Sequence, residues 1–402
     1  MKQPSLLTNR SFLATWSGNV ISELGGAFGT FCHSILVFQL TGSTFALGSM
    51  WLLYFLPSLV LQLFIGPFID RWSRKWMMVI SQWLRACVFV VPLLALTVGN
   101  IDIWHIYVVQ IIIGLISPLY VPANQAILPT IVKSNQLKQA NAYVDSTVRI
   151  MMFLAPIAAG VTIEGIGVQI TLAMVCILLV VSGCALLFID EPRLDDTEIR
   201  KAWLEDFREG FTFFFKQKII VWLGVFLAFV QFGVGVTLVT TLPYITGELS
   251  GTYAQYGFFM AGFPIGYALG AIITPKIKSV SRRRTMLGAL FVGGMTFNVL
   301  AFNQSISFAI VTEAIGGFAM AIFSIHNLTL CQQRIPNRLM GKVFSIRLLL
   351  IRVSMPFGVL VGGGFGDLVG IRPLYLFIGL LISIVAFLGM LLPFFSFIND
   401  DE

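Results

Sequence analysis

Two acids stand where acids are rare. Glu23 and Glu313 each interrupt an apolar run, 12–38 and 306–331. A carboxyl among hydrocarbon is costly, so such a residue faces a water-filled interior or a bonding partner. Desolvation disfavours the ionised form of any carboxyl, which suits a group that takes up and releases protons. Asn19, Glu23, Gly26 and Thr30 recur at intervals of 4, 3 and 4, which puts them on one stripe of a helix. Glu313, Gly317, Met320 and Ser324 repeat that spacing. Glu23 lies about eleven residues into its run, near mid-membrane, whereas Glu313 lies nearer the outer surface. A helix–helix hydrogen bond is the competing reading for both, and it competes more strongly for Glu313.

Cations inside apolar runs carry the same question. Arg85, Arg149, Arg347 and Arg352 form a set of intramembrane charges with Asp145. Asp145 and Arg149 are spaced i, i+4, a natural intrahelical pair. Arg85 and Arg352 lack a local acid, so each is expected to reach an acid or carbonyl on another helix, in a structural or gating role. His33, His105 and His326 are scattered singly and read as interfacial or hydrogen-bonded residues and not as a proton relay; the five cysteines (Cys32, Cys87, Cys176, Cys184, Cys331) have no paired spacing and read as small apolar fillers. There is no nucleophile–base pair, metal-ligand cluster or G-x-x-x-x-G-K-S/T phosphate loop. The sequence therefore reads as neither an enzyme nor an ATP-driven pump, with no metal and no cofactor.

The elements that must position these residues are membrane helices. With 57% hydrophobic and 11% charged residues and a mean hydropathy of +0.88, the composition excludes a soluble globule. Twelve apolar runs are long enough to span, at 12–38, 44–68, 76–99, 103–125, 139–164, 168–190, 219–244, 253–276, 284–302, 306–331, 341–368 and 372–396. The first run is far too long for a signal peptide. With both termini cytoplasmic, 21 of the 26 Lys and Arg fall in or beside cytoplasmic loops, and Arg372 alone lies outside. That is the positive-inside pattern, so the net charge of +7 reports topology and not nucleic-acid binding.

Residues 191–218 are hydrophilic and divide the chain into six spans, 1–190, and six more, 219–402. Within them Trp203, Leu204, Phe207, Phe211 and Phe214 recur at helical spacing, which predicts an amphipathic tether on the cytoplasmic membrane face. The halves look related. A shift of 208 residues carries Pro67 to Pro275, Ile69 to Ile277, Ser73 to Ser281 and Arg74-Lys75 to Arg282-Arg283, and it carries Glu23 to Gln231. Lys278 stands where Asp70 would map.

The loop Gly66-Pro67-Phe68-Ile69-Asp70-Arg71-Trp72-Ser73-Arg74-Lys75 resembles the G-x-x-x-D-R-x-G-R-K loop between helices 2 and 3 of the major facilitator superfamily, with Ser73 in place of the second glycine. Pro122-Ala123-Asn124-Gln125-Ala126-Ile127-Leu128-Pro129, followed by Val132, Leu137 and Ala140-Asn141-Ala142, resembles the macrolide-efflux and siderophore-export branch. Gln333-Arg334-Ile335-Pro336 with Gly341-Lys342-Val343-Phe344-Ser345 is similar to that branch as well. Ala155-Pro156-Ile157-Ala158-Ala159-Gly160 is a weakened G-P-x-x-G-G element, in which Pro156 and Gly160 would serve helix packing.

The resemblance implies an all-α protein of twelve transmembrane helices in two pseudo-symmetric six-helix bundles. Helices 1, 4, 7 and 10 would line a central cavity, so Gln110, Ser117 and Gln231 would join Asn19, Glu23 and Glu313 there. Gly66, Asp70, Arg71, Arg74 and Lys75 would form a conformational switch loop. The implied function is secondary active export of a hydrophobic or amphipathic small molecule, an antibiotic such as a macrolide or a siderophore-like metabolite. An ion gradient, of protons first, would drive it across the cell membrane by a monomer in the lipid bilayer. An importer or lysophospholipid flippase of the same fold is the alternative, and a non-transporting sensor a more distant one.

Overall fold

The computed structural model describes residues 6–64, 72–191, 211–277, 281–336 and 339–399. Long apolar runs fold as helices because hydrocarbon offers backbone groups no other partner. They are α1 (Arg10–Thr41), α2 (Thr44–Phe64), α3 (Arg74–Thr97), α4 (Ile103–Ile131), α5 (Leu137–Leu186), α6 (Lys218–Pro243), α7 (Tyr253–Ile273), α8 (Arg282–Phe302), α9 (Ile306–Arg334), α10 (Met340–Val369) and α11 (Ile371–Leu391). Among the described residues there is no strand, and 11 helices are long and apolar enough to cross a membrane. The count differs from the twelve expected runs because α5, 50 residues long, carries both the fifth and the sixth. It breaks at Gly167, whose φ of +82° is left-handed and ends one arm before the other begins.

Polar residues at the ends fix where helices start. Asn9 caps α1 by accepting from Phe12 N at 3.0 Å, and its amide donates to Ile131 O at 2.9 Å, tying the start of α1 to the end of α4. Asp102 and His105 close a reciprocal capping box on α4. Gly42, φ +63°, closes α1.

Contacts divide the chain into two compact units. The first is Met1–Thr197 with Thr252–Gly257, and the second is Glu198–Gly251 with Phe258–Glu402. In the first, α1 packs on both arms of α5. Trp16 Nε1 donates to Thr147 Oγ1 at 2.7 Å, and Ser182 Oγ donates to Gly18 O at 2.7 Å. Pro156 and Gly160 sit where α5 meets the start of α7. A β-carbon on Gly160 would stand 2.4 Å from Tyr253 O, and one on Gly257 would stand 2.5 Å from Pro156 O. Tyr253 N donates to Glu164 Oε2 at 3.0 Å, and Gln39 Nε2 donates to the Tyr253 hydroxyl at 2.8 Å.

In the second unit Phe214 is 1% exposed and packs in the core with Leu223, Phe226 and Phe395. Phe214 of the expected tether is thus buried in protein, whereas Phe211 of the same stripe is 45% exposed. Trp203, Leu204 and Phe207 lie outside the described residues. At the opposite end of this unit Arg372 binds Glu248 at 2.9 Å and donates to Asn303 O at 2.8 Å.

The same clasp closes one end of each unit. Glu191 receives Arg74 N at 2.9 Å, Lys75 N at 3.1 Å and the Ser73 hydroxyl. Asn399 receives Arg283 N at 2.9 Å and the Ser281 hydroxyl at 3.2 Å. The 208-residue shift carries Glu191 onto Asn399, so the repeat extends to a contact and not only to a loop. Ser73, at the position where glycine is usual, has φ −60° and caps α3 through Trp76 N at 3.3 Å, so no left-handed residue is needed.

Glu191 holds the first turn of α3 by hydrogen bonds to a charged group, worth about 1.5–3 kcal/mol each where a neutral bond contributes about 1. Glu191→Ala is expected to speed amide hydrogen exchange over 74–77 more than Asn399→Ala speeds it over 282–285. Equal effects would reduce Glu191 to a neutral cap.

Candidate functional site

In the first unit the polar stripe of α1 meets α3 and α4. Asn19, 5% exposed, donates through Nδ2 to Asn124 Oδ1 at 2.9 Å, and its Oδ1 accepts from the Tyr120 hydroxyl at 2.7 Å. Ser22 and Gln82 flank that hydroxyl. One turn along α1 from Asn19, Glu23 keeps its side chain accessible, while Ser22 and Gly25 are buried. The reason is helix geometry: Gly25 turns toward Leu178 and Leu179 of α5, and Glu23 turns away from them.

Arg85 of α3 reaches the same level. A β-carbon at Gly26 would stand 3.7 Å from its Nη2, close enough for its charge to act on Glu23. No ion pair joins Arg85 to Glu23 among the described residues, and the Arg85 Nε is buried without an acceptor. Glu23, Arg85, Asn19, Tyr120 and Asn124 thus form one cluster of an accessible acid, a cation and a fixed hydrogen-bonded base. A carboxyl that water reaches can exchange its proton there.

Tyr120 was not among the expected site residues, and Asn124 was named only within a motif. Their signal was the spacing of four, which puts both on one face of α4. A double-mutant cycle of Asn19→Ala and Asn124→Ala should return a coupling of about 0.5–1.5 kcal/mol in melting of the purified protein. Strict additivity would mean that the two amides do not bind each other.

The other expected cavity residues are dispersed. Gln110 is buried ten residues before Tyr120 on α4, about 15 Å along the axis. Ser117 donates to Ile113 O at 2.9 Å and meets the Tyr54 hydroxyl at 3.4 Å. Gln231 on α6 and Glu313 on α9 are both half-buried in the second unit. The Glu313 face packs against α7. Its Cβ is 3.4 Å from the place of a β-carbon on Gly262, and a β-carbon on Gly317 would stand 2.0 Å from Phe263 O.

Gly66, Asp70 and Arg71 lie outside the described residues; Arg74 and Lys75 give their backbone N–H groups to Glu191. Asp145 and Arg149 bind each other at 2.8 Å with both side chains more than 60% exposed. On α10, Arg347 is buried and Arg352 exposed. No group of three or more His, Cys, Asp or Glu among the described residues could hold a metal.

The chain matches the Major Facilitator Superfamily over residues 12–243 and 221–399. Macrolide efflux protein A of Streptococcus pyogenes is 22% identical over 384 residues, covering 93% of this chain and 94% of that protein. Enterobactin exporter EntS of Escherichia coli O1:K1 / APEC is 22% identical over 303 residues, covering 75% and 72%. The fold is similar to the crystal structure of nucleoside transporter NupG, with a TM-score of 0.73 at 14% identity over 95% of this chain and 98% of that one. These matches agree with the resemblance carried by the loop and by the α4–α5 motif.

Proposed function

Since the chain belongs to the Major Facilitator Superfamily, we propose that it is a secondary active exporter of a hydrophobic or amphipathic small molecule, driven by proton antiport. The observation that carries this reading is Glu23, an accessible carboxyl in the middle of a membrane helix with Arg85 beside it. A carboxyl that alternates between neutral and charged can favour one conformation in each state, and that difference is what couples an ion to a substrate. The similarity to macrolide and enterobactin exporters supports the export direction and the class of cargo. In this reading the protein acts as a monomer in the cell membrane with both termini in the cytoplasm. It works by alternating access of its two six-helix halves and needs no cofactor beyond the ion gradient.

Everted vesicles from cells expressing the chain, acidified inside and loaded with a fluorescent pH probe, test this directly. Macrolides, siderophores or amphipathic dyes are expected to trigger proton release from the lumen with at least one member of the panel. Silence across all three classes, with the protein present in the membrane, would reject proton-coupled export.

A further inference from the structure

One buried cation of the second unit has no acid beside it among the described residues. Arg347 of α10 is 6% exposed. Its Nη2 donates to Asn327 Oδ1 on α9, and its guanidinium lies 5.5 Å from the centre of the Phe344 ring. Its Nε–H is buried and reaches no acceptor. Asn327 is held in place from the other side, because its Nδ2 donates to Leu223 O on α6 at 3.0 Å.

The described residues of this unit include three acids, Glu248, Glu313 and Asp367. Glu248 is bound to Arg372 at 2.9 Å. Glu313 precedes Asn327 by 14 residues on α9, about 21 Å along the axis. Asp367 follows Arg347 by 20 residues on α10, about 30 Å along. None of them can neutralise Arg347. A guanidinium does not shed its proton, and one amide oxygen and one ring face offset only part of the cost of burying it.

A second feature lies on the same helices. Val225, Ala228, Phe229 and Phe232 of α6, with Phe357 of α10 and Leu381 of α11, line an apolar groove of about 300 Å³ that also touches Ser354. Ser354 follows Arg347 by seven residues, two turns on the same face of α10. The cation stands outside the lining of the groove, about 10 Å along α10 from its Ser354.

We propose that Arg347, with Asn327 and Phe344, is the head site for an anionic amphiphile, whose carboxylate or phosphate pairs with the guanidinium and whose apolar body lies along the α6–α10 groove. Five N–H donors in a rigid fork suit either oxyanion. The head could come from a membrane lipid or from a soluble cargo. That this ligand is cargo rests on the export reading; that it binds does not.

The test uses full-length protein in phosphatidylcholine nanodiscs, melted with octanoate, octyl phosphate, 1-octanol or octylammonium. Octanoate and octyl phosphate are expected to raise the melting temperature at concentrations at least about tenfold lower than octanol. Octylammonium is expected to gain no such advantage. Arg347→Gln should erase the advantage. So should Asn327→Asp, which supplies a counter-charge in place and keeps the cation, and which remains informative if Arg347→Gln fails to fold.

An anion preference absent from the wild type, or surviving Asn327→Asp, overturns the proposal. Adding phosphatidylglycerol to the discs identifies the source. If it blocks the octanoate response, the site holds a lipid head; if the response persists, the site takes a soluble amphiphile. Vesicles silent for proton release alongside an intact anion preference would sink the export reading and leave this site standing.

Discussion

Everted vesicles carrying Glu23→Gln are expected to show no proton release on adding a substrate that triggers it in the wild type. Glutamine keeps the size and hydrogen-bonding capacity of the side chain but has no proton to exchange. A loss of coupling with binding retained would therefore fall on titration and not on shape. The expected effect is complete loss of coupled release, because a fixed neutral side chain offers no second state to bias the conformational equilibrium. Arg85 complicates the single variant, since removing the acid leaves the cation without its neighbour. Glu23→Gln with Arg85→Gln removes both charges; it should recover any expression lost in the single variant while coupling stays absent. Release equal to wild type in Glu23→Gln would make Glu23 a packing residue and move the search to Glu313.

The membrane helices were legible because spanning hydrocarbon demands long apolar runs, and the break in α5 fell at Gly167 between two expected spans. Which helices touch was not legible. Glu23 and Arg85 stand on helices that the sequence does not declare adjacent, so both charges were found and their nearness was not. The Glu191 clasp could have been found. The shift that pairs Ser73 with Ser281 also pairs Glu191 with Asn399, but a capping role for a carboxylate 118 residues away has no local signal. Phe214 carried the helical period expected of a membrane-surface stripe, yet it is buried. Period tells which residues share a face, and the surroundings decide whether protein or lipid covers it.

The glycines of α7 show the same divide, and they carry the second large effect. Gly262, Gly266 and Gly270 recur every four residues, the small-residue spacing that lets membrane helices approach closely. Here the approach is extreme. A β-carbon on Gly266 would stand 1.8 Å from Ala314 O and 2.6 Å from its carbonyl carbon, and one on Gly270 would stand 2.6 Å from Phe318 O.

These are backbone atoms of α9, so no side chain can swing aside; the two helices must separate. Gly266→Leu is therefore expected to cost more than the roughly 1–3 kcal/mol of an ordinary overpacked core. It should yield protein that melts far lower or fails to leave detergent as a single species. Gly293 on α8 is the control, with nothing within 4 Å of its would-be β-carbon. Gly293→Ala should be neutral or raise stability by up to about 1 kcal/mol, because alanine is the better helix former.

The pair also bears on Glu313, which shares its face with Gly317 against α7. Collapse in Gly266→Leu with gain in Gly293→Ala would establish this face of α9 as a packing seam and hold Glu313 to the edge of it. A Gly266→Leu protein that melts like the wild type would mean that α7 and α9 are not closed on each other, and Glu313 would then be open to water and to protons.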